Sequence, residues 1–349
     1  MKTKYRLSLG SERRVALGLH AAVSELKPIK NRRSDSRLSG YKTNIFLLAW
    51  IAFGLLTRPA LLAQSTSPFP YIQKTDVVYG EVYGTGLLMD VFVPKEKPNG
   101  LGIIDVVSGA YHSDRGKIRD HALAQLYTIF CSRGYTVFAI RPGSRPRYTA
   151  LEMDEHVKTG IRYVKEHASE YKIDPQRLGI TGASAGGHLA TLAAVTPQEG
   201  TPDAKNPLLR HSTTVKAAAI FFPPTDFLDW DGRLADPALL GDLLFLGGAK
   251  GHSDDEIKDR ARDVSPARLV KAPVIPFLLI HGDADPLVPL QQSQKMVAAL
   301  KAAGGSPELI VKKGGGHPWL TIFEEVKIMA DWFDHHLPDA PPGPSPARL

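Results

Sequence analysis

The chain has 349 residues, of which 43% are apolar and 23% are charged. This balance excludes a disordered chain and predicts a globular protein with a sizeable core, as one large domain or two small ones. The formal charge of +7 would favour a nucleic-acid or membrane-surface partner, but residues 1–63 hold 12 Lys/Arg against 3 Asp/Glu, and the remainder holds 31 against 33. The body is therefore slightly acidic, and no basic patch remains that would bind nucleic acid.

An uncharged apolar run at residues 45–56 predicts an export signal. Its length suits the apolar core of a signal peptide and is short for a transmembrane helix. Ala63 offers a small residue for cleavage, whereas the alternative, an uncleaved anchor, is interrupted by Arg58 and Pro59. We therefore expect residues 1–63 to be a leader with a signal peptide and the mature protein to be secreted or periplasmic, with no other association with a membrane.

The body of the chain follows a Ser/Pro-containing linker at residues 64–75 and is predicted to be one catalytic domain at residues 76–337. Strand and helix patterns alternate along most of it, which predicts a mostly parallel central sheet with helices on both faces. A glycine-containing turn joins the first two strands as an antiparallel hairpin at the edge. The predicted strands are residues 77–83, 87–93, 102–107, 135–140, 178–181, 216–222, 274–280 and 309–311. The predicted helices are residues 118–132, 150–171, 185–194, 291–303 and 319–336.

Two segments depart from this alternation. Residues 227–264 show no regular period, and we interpret them as a small cap insertion over the active-site face. Residues 338–349 are a Pro-rich tail with little expected order. The lone Cys131 excludes an internal disulfide, and its apolar helical setting predicts a small buried side chain rather than a nucleophile.

A G-x-S-x-G motif lies between a predicted strand and a predicted helix, with Ser184 at its centre. That context is typical of a nucleophile elbow, a sharp turn at which the serine backbone is strained. Such a turn has no room for side chains on either side of the serine, and Gly182 and Gly186 have none. The pattern predicts that the Ser184 hydroxyl is exposed above a helix N-terminus, where a developing negative charge is stabilised.

A nucleophilic serine needs a base, and the base needs a carboxylate that orients it. His317 lies in a glycine-rich loop after the last predicted strand and is the candidate base. Asp283 and Asp285 both follow the preceding strand and compete for the orienting role. All of these residues follow the C-terminal ends of predicted strands, which is where the functional groups of open α/β sheets usually lie.

Four stretches together carry a family resemblance: D-P-x-R-L-G at 174–179, G-A-S-A-G-G-H-L-A at 182–190, H-G-x-x-D-x-x-V-P at 281–289 and G-H at 316–317. The region from about 70 to 337 resembles the α/β-hydrolase superfamily. Within it, the sequence is similar to the esterase/lipase group of bacterial acetyl-xylan and feruloyl-type carbohydrate esterases and hormone-sensitive-lipase-like enzymes. The resemblance implies an α/β-hydrolase fold, and it favours Asp285 over Asp283.

The resemblance also implies an oxyanion hole built from two backbone N–H groups. One is expected from Ala185, next to the nucleophile. The other should come from the loop after the strand at 102–107, where Ala110 is the first choice and Gly109 the second. This loop reads S-G-A-Y-H and departs from the H-G-G-G of typical relatives, but both candidates are small enough to admit a carbonyl group.

No cofactor or metal is expected. No G-x-G-x-x-G opens a helix after the first core strand, and the histidines show neither H-E-x-x-H nor C-x-x-C spacing. His188 and His281 are interpreted as structural residues.

These motifs predict a serine carboxylic-ester hydrolase that works through Ser184, His317 and Asp285 and an acyl-enzyme. The resemblance implies short acyl groups, such as acetyl esters of a small molecule or a polysaccharide. One alternative is a serine peptidase of the prolyl-oligopeptidase type, which shares the H-G-x-x-D-x-x-V-P segment. A binding protein without activity on a hydrolase scaffold is the other, although such proteins usually lose a triad member.

Overall fold

The computed structural model describes residues 68–338. The predicted leader at 1–63, the first part of the predicted linker and the tail after residue 338 lie outside the described residues. Within residues 68–338, no helix is both long and apolar enough to cross a membrane.

One eight-stranded sheet runs through the protein in the order β1-β2-β4-β3-β5-β6-β7-β8. The hairpin of the first two strands pairs antiparallel with itself and with β4, and all other neighbours are parallel. The strands are β1 (Tyr71–Val82), β2 (Thr85–Pro94), β3 (Gly102–Val106), β4 (Thr136–Arg141), β5 (Leu178–Ala183), β6 (Ala217–Phe221), β7 (Phe277–Gly282) and β8 (Glu308–Lys312). The expected mostly parallel sheet is therefore confirmed.

The central strands are buried on both faces, which explains why they read as apolar runs in the sequence. Every residue of β3, β6 and β7 is buried. Two apolar clusters cover the sheet, one containing Ile104 and Ile180 and the other containing Ile103 and Ile280. The alternation of Ile103 and Ile104 between the clusters follows from the two-residue period of a strand.

Helices lie between the strands and pack on both faces of the sheet. They are α1 (Arg115–Leu123), α2 (Leu126–Ser132), α3 (Ala150–Glu166), α4 (Ala168–Tyr171), α5 (Ala185–Val195), α6 (Pro237–Leu244), α7 (Asp254–Asp263), α8 (Pro266–Leu269), α9 (Leu290–Ala302) and α10 (Ile322–His336), with a 3₁₀ helix at Pro207–Arg210. Cys131 in α2 is buried, and this burial raises the pKa of its thiol to about 12.

Two predicted helices are each divided in the structure. The helix expected at 118–132 is interrupted at Gln125, whose φ of 61° is left-handed and cannot continue a right-handed helix. The helix expected at 150–171 ends at Glu166, and α4 follows after His167. The predicted cap segment, 227–264, contains α6 and α7, which pack against each other.

Candidate active site

The turn between β5 and α5 holds Ser184 in a strained backbone conformation, with φ 54° and ψ −121°. Its N–H donates to the carbonyl of Phe221 in β6 at 3.0 Å, and its own carbonyl accepts from His188 at 2.8 Å. A Cβ atom at Gly186 would overlap with the carbonyl oxygen of Val106 in β3, and one at Gly182 would overlap with Gly186. Only glycines allow this close approach, so the motif is required by local geometry.

The structure brings Ser184, His317 and Asp285 together from the ends of three strands. The Ser184 hydroxyl lies 2.8 Å from His317 Nε2, and His317 Nδ1 lies 2.6 Å from Asp285 Oδ2. A neutral imidazole that donates from Nδ1 to the carboxylate leaves Nε2 free to accept the serine proton. The arrangement can therefore activate a serine hydroxyl as a nucleophile.

The Asp285 side chain is fully buried yet surrounded by donors. Its Oδ1 accepts from the N–H groups of Leu287 and Val288 at 2.8 and 2.9 Å. Burial opposes ionisation, but hydrogen bonds from His281, His317 and these two amides outweigh it and hold the pKa of Asp285 well below its usual value. The carboxylate is therefore charged at neutral pH.

His281, which the sequence predicts to be structural, is buried near the end of β7 and borders the site. Its buried ring lies between the Ser293 hydroxyl, 2.7 Å from Nδ1, and the carbonyl of Val288, 2.9 Å from Nε2. The same Nε2 is 3.5 Å from Asp285 Oδ2. The H-G-x-x-D motif thus places a second imidazole beside the Asp285 carboxylate, a proximity that the motif could have indicated.

The loop that carries His317 is held from two sides. Asp283, the competing carboxylate, accepts from the N–H of Gly314 at 2.6 Å and so fixes this loop instead of contacting the imidazole. The Phe222 ring packs on the His317 ring with centroids 4.4 Å apart. No sequence motif marked Phe222, because its contact depends on the pairing of β6 with β7.

The loop after β3 lies against the start of α5. Gly186 N–H donates to the carbonyl of Ser108 at 3.0 Å. Gly109 and His112 exchange two backbone hydrogen bonds, so the N–H of Gly109 is already engaged. By contrast, no acceptor among residues 68–338 pairs with the N–H of Ala110. The structure thus favours Ala110, the first choice, over Gly109 as an oxyanion donor.

The first turn of α5 supplies the other expected donor. Ala185 is its first residue, where N–H groups have no intrahelical acceptor. His188, one turn on, is fully buried and donates from Nε2 to the carbonyl of Val264 at 2.7 Å. Burial lowers its pKa to about 4, and its ring contacts Tyr111 and Phe227 edge-on. His188 and Tyr111 therefore pack beneath the site.

A pocket of about 270 Å³ opens beside the Asp285 loop. Trp230, Leu234 and Leu239 from the predicted cap segment line it, together with Leu287. The N–H of Leu287 is one of the donors to Asp285, so the pocket lies next to the Asp285 carboxylate. In the part of the chain that the structure describes, no three His, Cys, Asp or Glu side chains are grouped to hold a metal ion.

Known proteins resemble this chain in sequence and in structure. It is 31% identical over 269 residues to the probable carboxylic ester hydrolase LipM of Mycobacterium tuberculosis, an alignment that covers 73% of this chain and 60% of LipM. The chain thus spans less than two thirds of that relative's length.

Solved structures give the same fold. A truncated carbohydrate esterase from gut microbiota is 26% identical, with a TM-score of 0.65 over 77% of this chain and 98% of that one. Esterase 2 of Thermogutta terrifontis, at 22% identity, has a TM-score of 0.59 over 79% and 95%. The family model BD-FAE matches residues 89–300, more than half of the chain, and with it the loops that carry Ser184 and Asp285. The chain has the α/β-hydrolase fold and belongs to the BD-FAE family.

Proposed function

We propose that the protein is a serine carboxylic-ester hydrolase. The observation that carries this proposal is the chain of hydrogen bonds from Asp285 through His317 to the Ser184 hydroxyl. The distances from Asp285 to His317 and from His317 to Ser184 are both below 3 Å. Hydrogen-bond geometry of this kind is what a nucleophile, its base and an orienting acid require. The names of the similar proteins, a carboxylic ester hydrolase and a carbohydrate esterase, support the same reaction class.

In the proposed mechanism, Ser184 attacks the ester carbonyl while His317 takes its proton. The oxyanion that forms is bound by the N–H groups of Ala185 and Ala110. His317 then donates the proton to the departing alcohol, which leaves an acyl group on Ser184. Water, activated by the same imidazole, releases the acid and restores the serine. Asp285 stays ionised and stabilises the imidazolium in both halves.

We further propose that the substrates carry short acyl groups, such as acetyl esters on a polysaccharide. The similarity to a carbohydrate esterase supports this class. The rival, a peptidase of the prolyl-oligopeptidase type, predicts turnover of a dipeptidyl anilide. Rates on p-nitrophenyl acetate, acetylated xylan and a dipeptidyl anilide separate the two proposals.

A fluorophosphonate probe tests the nucleophile. We expect it to label the protein and to abolish hydrolysis of p-nitrophenyl acetate, whereas Ser184→Ala should show neither labelling nor turnover. Ser169→Ala, at an exposed serine of α4, is the matched control and should behave as the unmodified protein. A protein that remains unlabelled and inactive, or a Ser184→Ala variant that is labelled normally, would contradict the assignment.

The export signal expected at residues 45–56 remains a proposal about the leader. N-terminal sequencing of the protein isolated from its native cells tests it, with a mature start near Gln64 as the expected result. A mature chain that begins near Met1 would contradict cleavage.

A further inference from the structure

Arg145, in the loop after β4, contacts the loop after β3 twice. Its backbone N–H donates to the carbonyl of Tyr111 at 3.0 Å, and its side-chain Nε–H donates to the carbonyl of Ala110 at 3.0 Å. The neighbouring Ser144 hydroxyl accepts from the N–H of Ser113 at 2.9 Å. The loop that would supply the second oxyanion donor is therefore attached along its length to the loop after β4.

The same guanidinium reaches the predicted cap segment. Its Nη1 lies 3.0 Å from Oδ2 of Asp242, in the last turn of α6. Arg145 thus joins the loop after β3 to a cap helix through one side chain. A lysine ammonium could not make both contacts with the same geometry, because the two acceptors are met by different nitrogens of a planar fork.

The loop after β3 needs such support because of its sequence. Ala110 and Tyr111 both have left-handed backbones, with φ of 48° and 63°. Residues with a Cβ atom adopt this conformation at a cost, which glycines at these positions would avoid. The two hydrogen bonds between Gly109 and His112 close the turn. They leave the carbonyls of Ala110 and Tyr111 to be bound by residues outside this loop.

We propose that Arg145 is the positioning residue of the oxyanion hole. Its side chain holds the carbonyl of Ala110, and its backbone N–H holds the carbonyl of Tyr111. These contacts fix the two peptide units that follow the Ala110 N–H and so keep the left-handed backbone of Ala110 in the conformation that leaves this N–H free for the oxyanion. Asp242 fixes the guanidinium, so the orientation of Arg145 also depends on the position of α6. This proposal rests on the proposed ester hydrolysis.

The position of Arg145 makes the proposal testable by substitution. Its side chain is 24% exposed and Asp242 is 43% exposed, so their ion pair contributes little to the stability of the fold. Arg147 in the same loop is a matched control, because it donates to the Thr85 hydroxyl and not to the loop after β3.

Arg145→Met keeps the aliphatic part of the side chain and removes the guanidinium N–H donors. With p-nitrophenyl acetate we expect kcat to fall roughly 10- to 100-fold, less than or equal to the loss of a whole oxyanion donor, while KM changes less than about threefold. Arg147→Met should leave kcat and KM within about twofold of the unmodified protein. If Arg145→Met does not fold, Arg145→Lys, which lacks the Nε–H, should show the same loss confined to kcat.

A second measurement separates positioning from a merely structural role. A trifluoromethyl ketone forms a tetrahedral adduct with an active serine, so its inhibition constant depends on the oxyanion hole. We expect that constant to weaken by the same factor as kcat, whereas inhibition by the product acid stays unchanged. A variant with full kcat, a loss that appears only in KM, or an adduct of unchanged affinity would overturn the proposal. Failure of the proposed function is distinct, since the unmodified protein would then neither hydrolyse the ester nor react with the fluorophosphonate probe.

Discussion

Asp285 combines full burial with a stable negative charge. Two backbone N–H groups donate to its Oδ1 and His317 donates to its Oδ2, while the His281 ring lies 3.5 Å from the same Oδ2. Because backbone donors cannot move away without breaking the turn, the carboxylate has one orientation. It therefore selects the His317 tautomer that leaves Nε2 free to accept the Ser184 proton.

Asp285→Asn tests this role. The amide can still accept from the two backbone N–H groups, but it presents an N–H to His317 Nδ1 and favours the wrong tautomer. We expect kcat on p-nitrophenyl acetate to fall roughly 10³- to 10⁴-fold, with a small change in melting temperature.

Asp283→Asn is the matched control for that experiment. Asp283 only accepts from the N–H of Gly314, and an amide oxygen can do the same. We expect less than a tenfold loss of kcat. Equal losses in the two variants would mean that the choice of Asp285 over Asp283 is mistaken.

At the scale of elements, the turn between β5 and α5 is fixed by its neighbours on both sides. Ser184 bonds to β6 through Phe221, and Gly186 bonds to the loop after β3 through Ser108. Ser184 and the loop with the second oxyanion candidate are therefore held next to each other, although about 75 residues separate them.

Gly186→Ala tests how closely these elements approach. Because its Cβ would overlap with the Val106 carbonyl, α5 must shift away from β3. We expect a loss of about 1–3 kcal/mol in the free energy of unfolding, measured by urea denaturation, together with a loss of esterase activity. Gly86→Ala is the control, since its Cβ meets only Val78 Cγ1, at 3.8 Å, and should be neutral in both measurements. A fully stable, fully active Gly186→Ala variant would contradict the close approach.

The elements and the three predicted site residues were accessible from the sequence for a physical reason. Buried parallel strands read as apolar runs, and the G-x-S-x-G motif is a local requirement of one turn. The left-handed Gln125 that divides α1 from α2 could not be predicted, because glutamine is an ordinary helix former. The contacts of Phe222 and Arg145 could not be predicted either, because their partners lie far away in the chain.

At the scale of the whole molecule, the buried histidines make stability depend on pH. His188 has a folded-state pKa of about 4, below its ordinary value of 6.5, because burial disfavours the charged form. Burial likewise lowers the pKa of His156. For His121, burial is outweighed by the carboxylate of Asp105, which raises the pKa. His188 and His156 therefore favour the folded state at neutral pH, whereas His121 favours it at acidic pH.

We therefore predict that the contribution of His188 is complete above pH 6.5 and is lost as the pH falls from 6.5 toward 4. The size of this loss is on the order of 3 kcal/mol, from the shift between the two pKa values. Urea denaturation at a series of pH values should show a shallower decline for His188→Gln than for the unmodified protein. His335→Gln, at an exposed position of α10, should leave the slope as it is. Parallel profiles for the unmodified protein and His188→Gln would contradict the assignment.

The hydroxyl of Ser184 and the imidazole of His317 touch across 133 positions of the chain. No fragment that stops before the last strand can contain both, and no partly folded state in which β8 is detached can align them. Turnover should consequently vanish in step with tryptophan fluorescence during unfolding, which would make catalysis itself a reporter of the completed sheet.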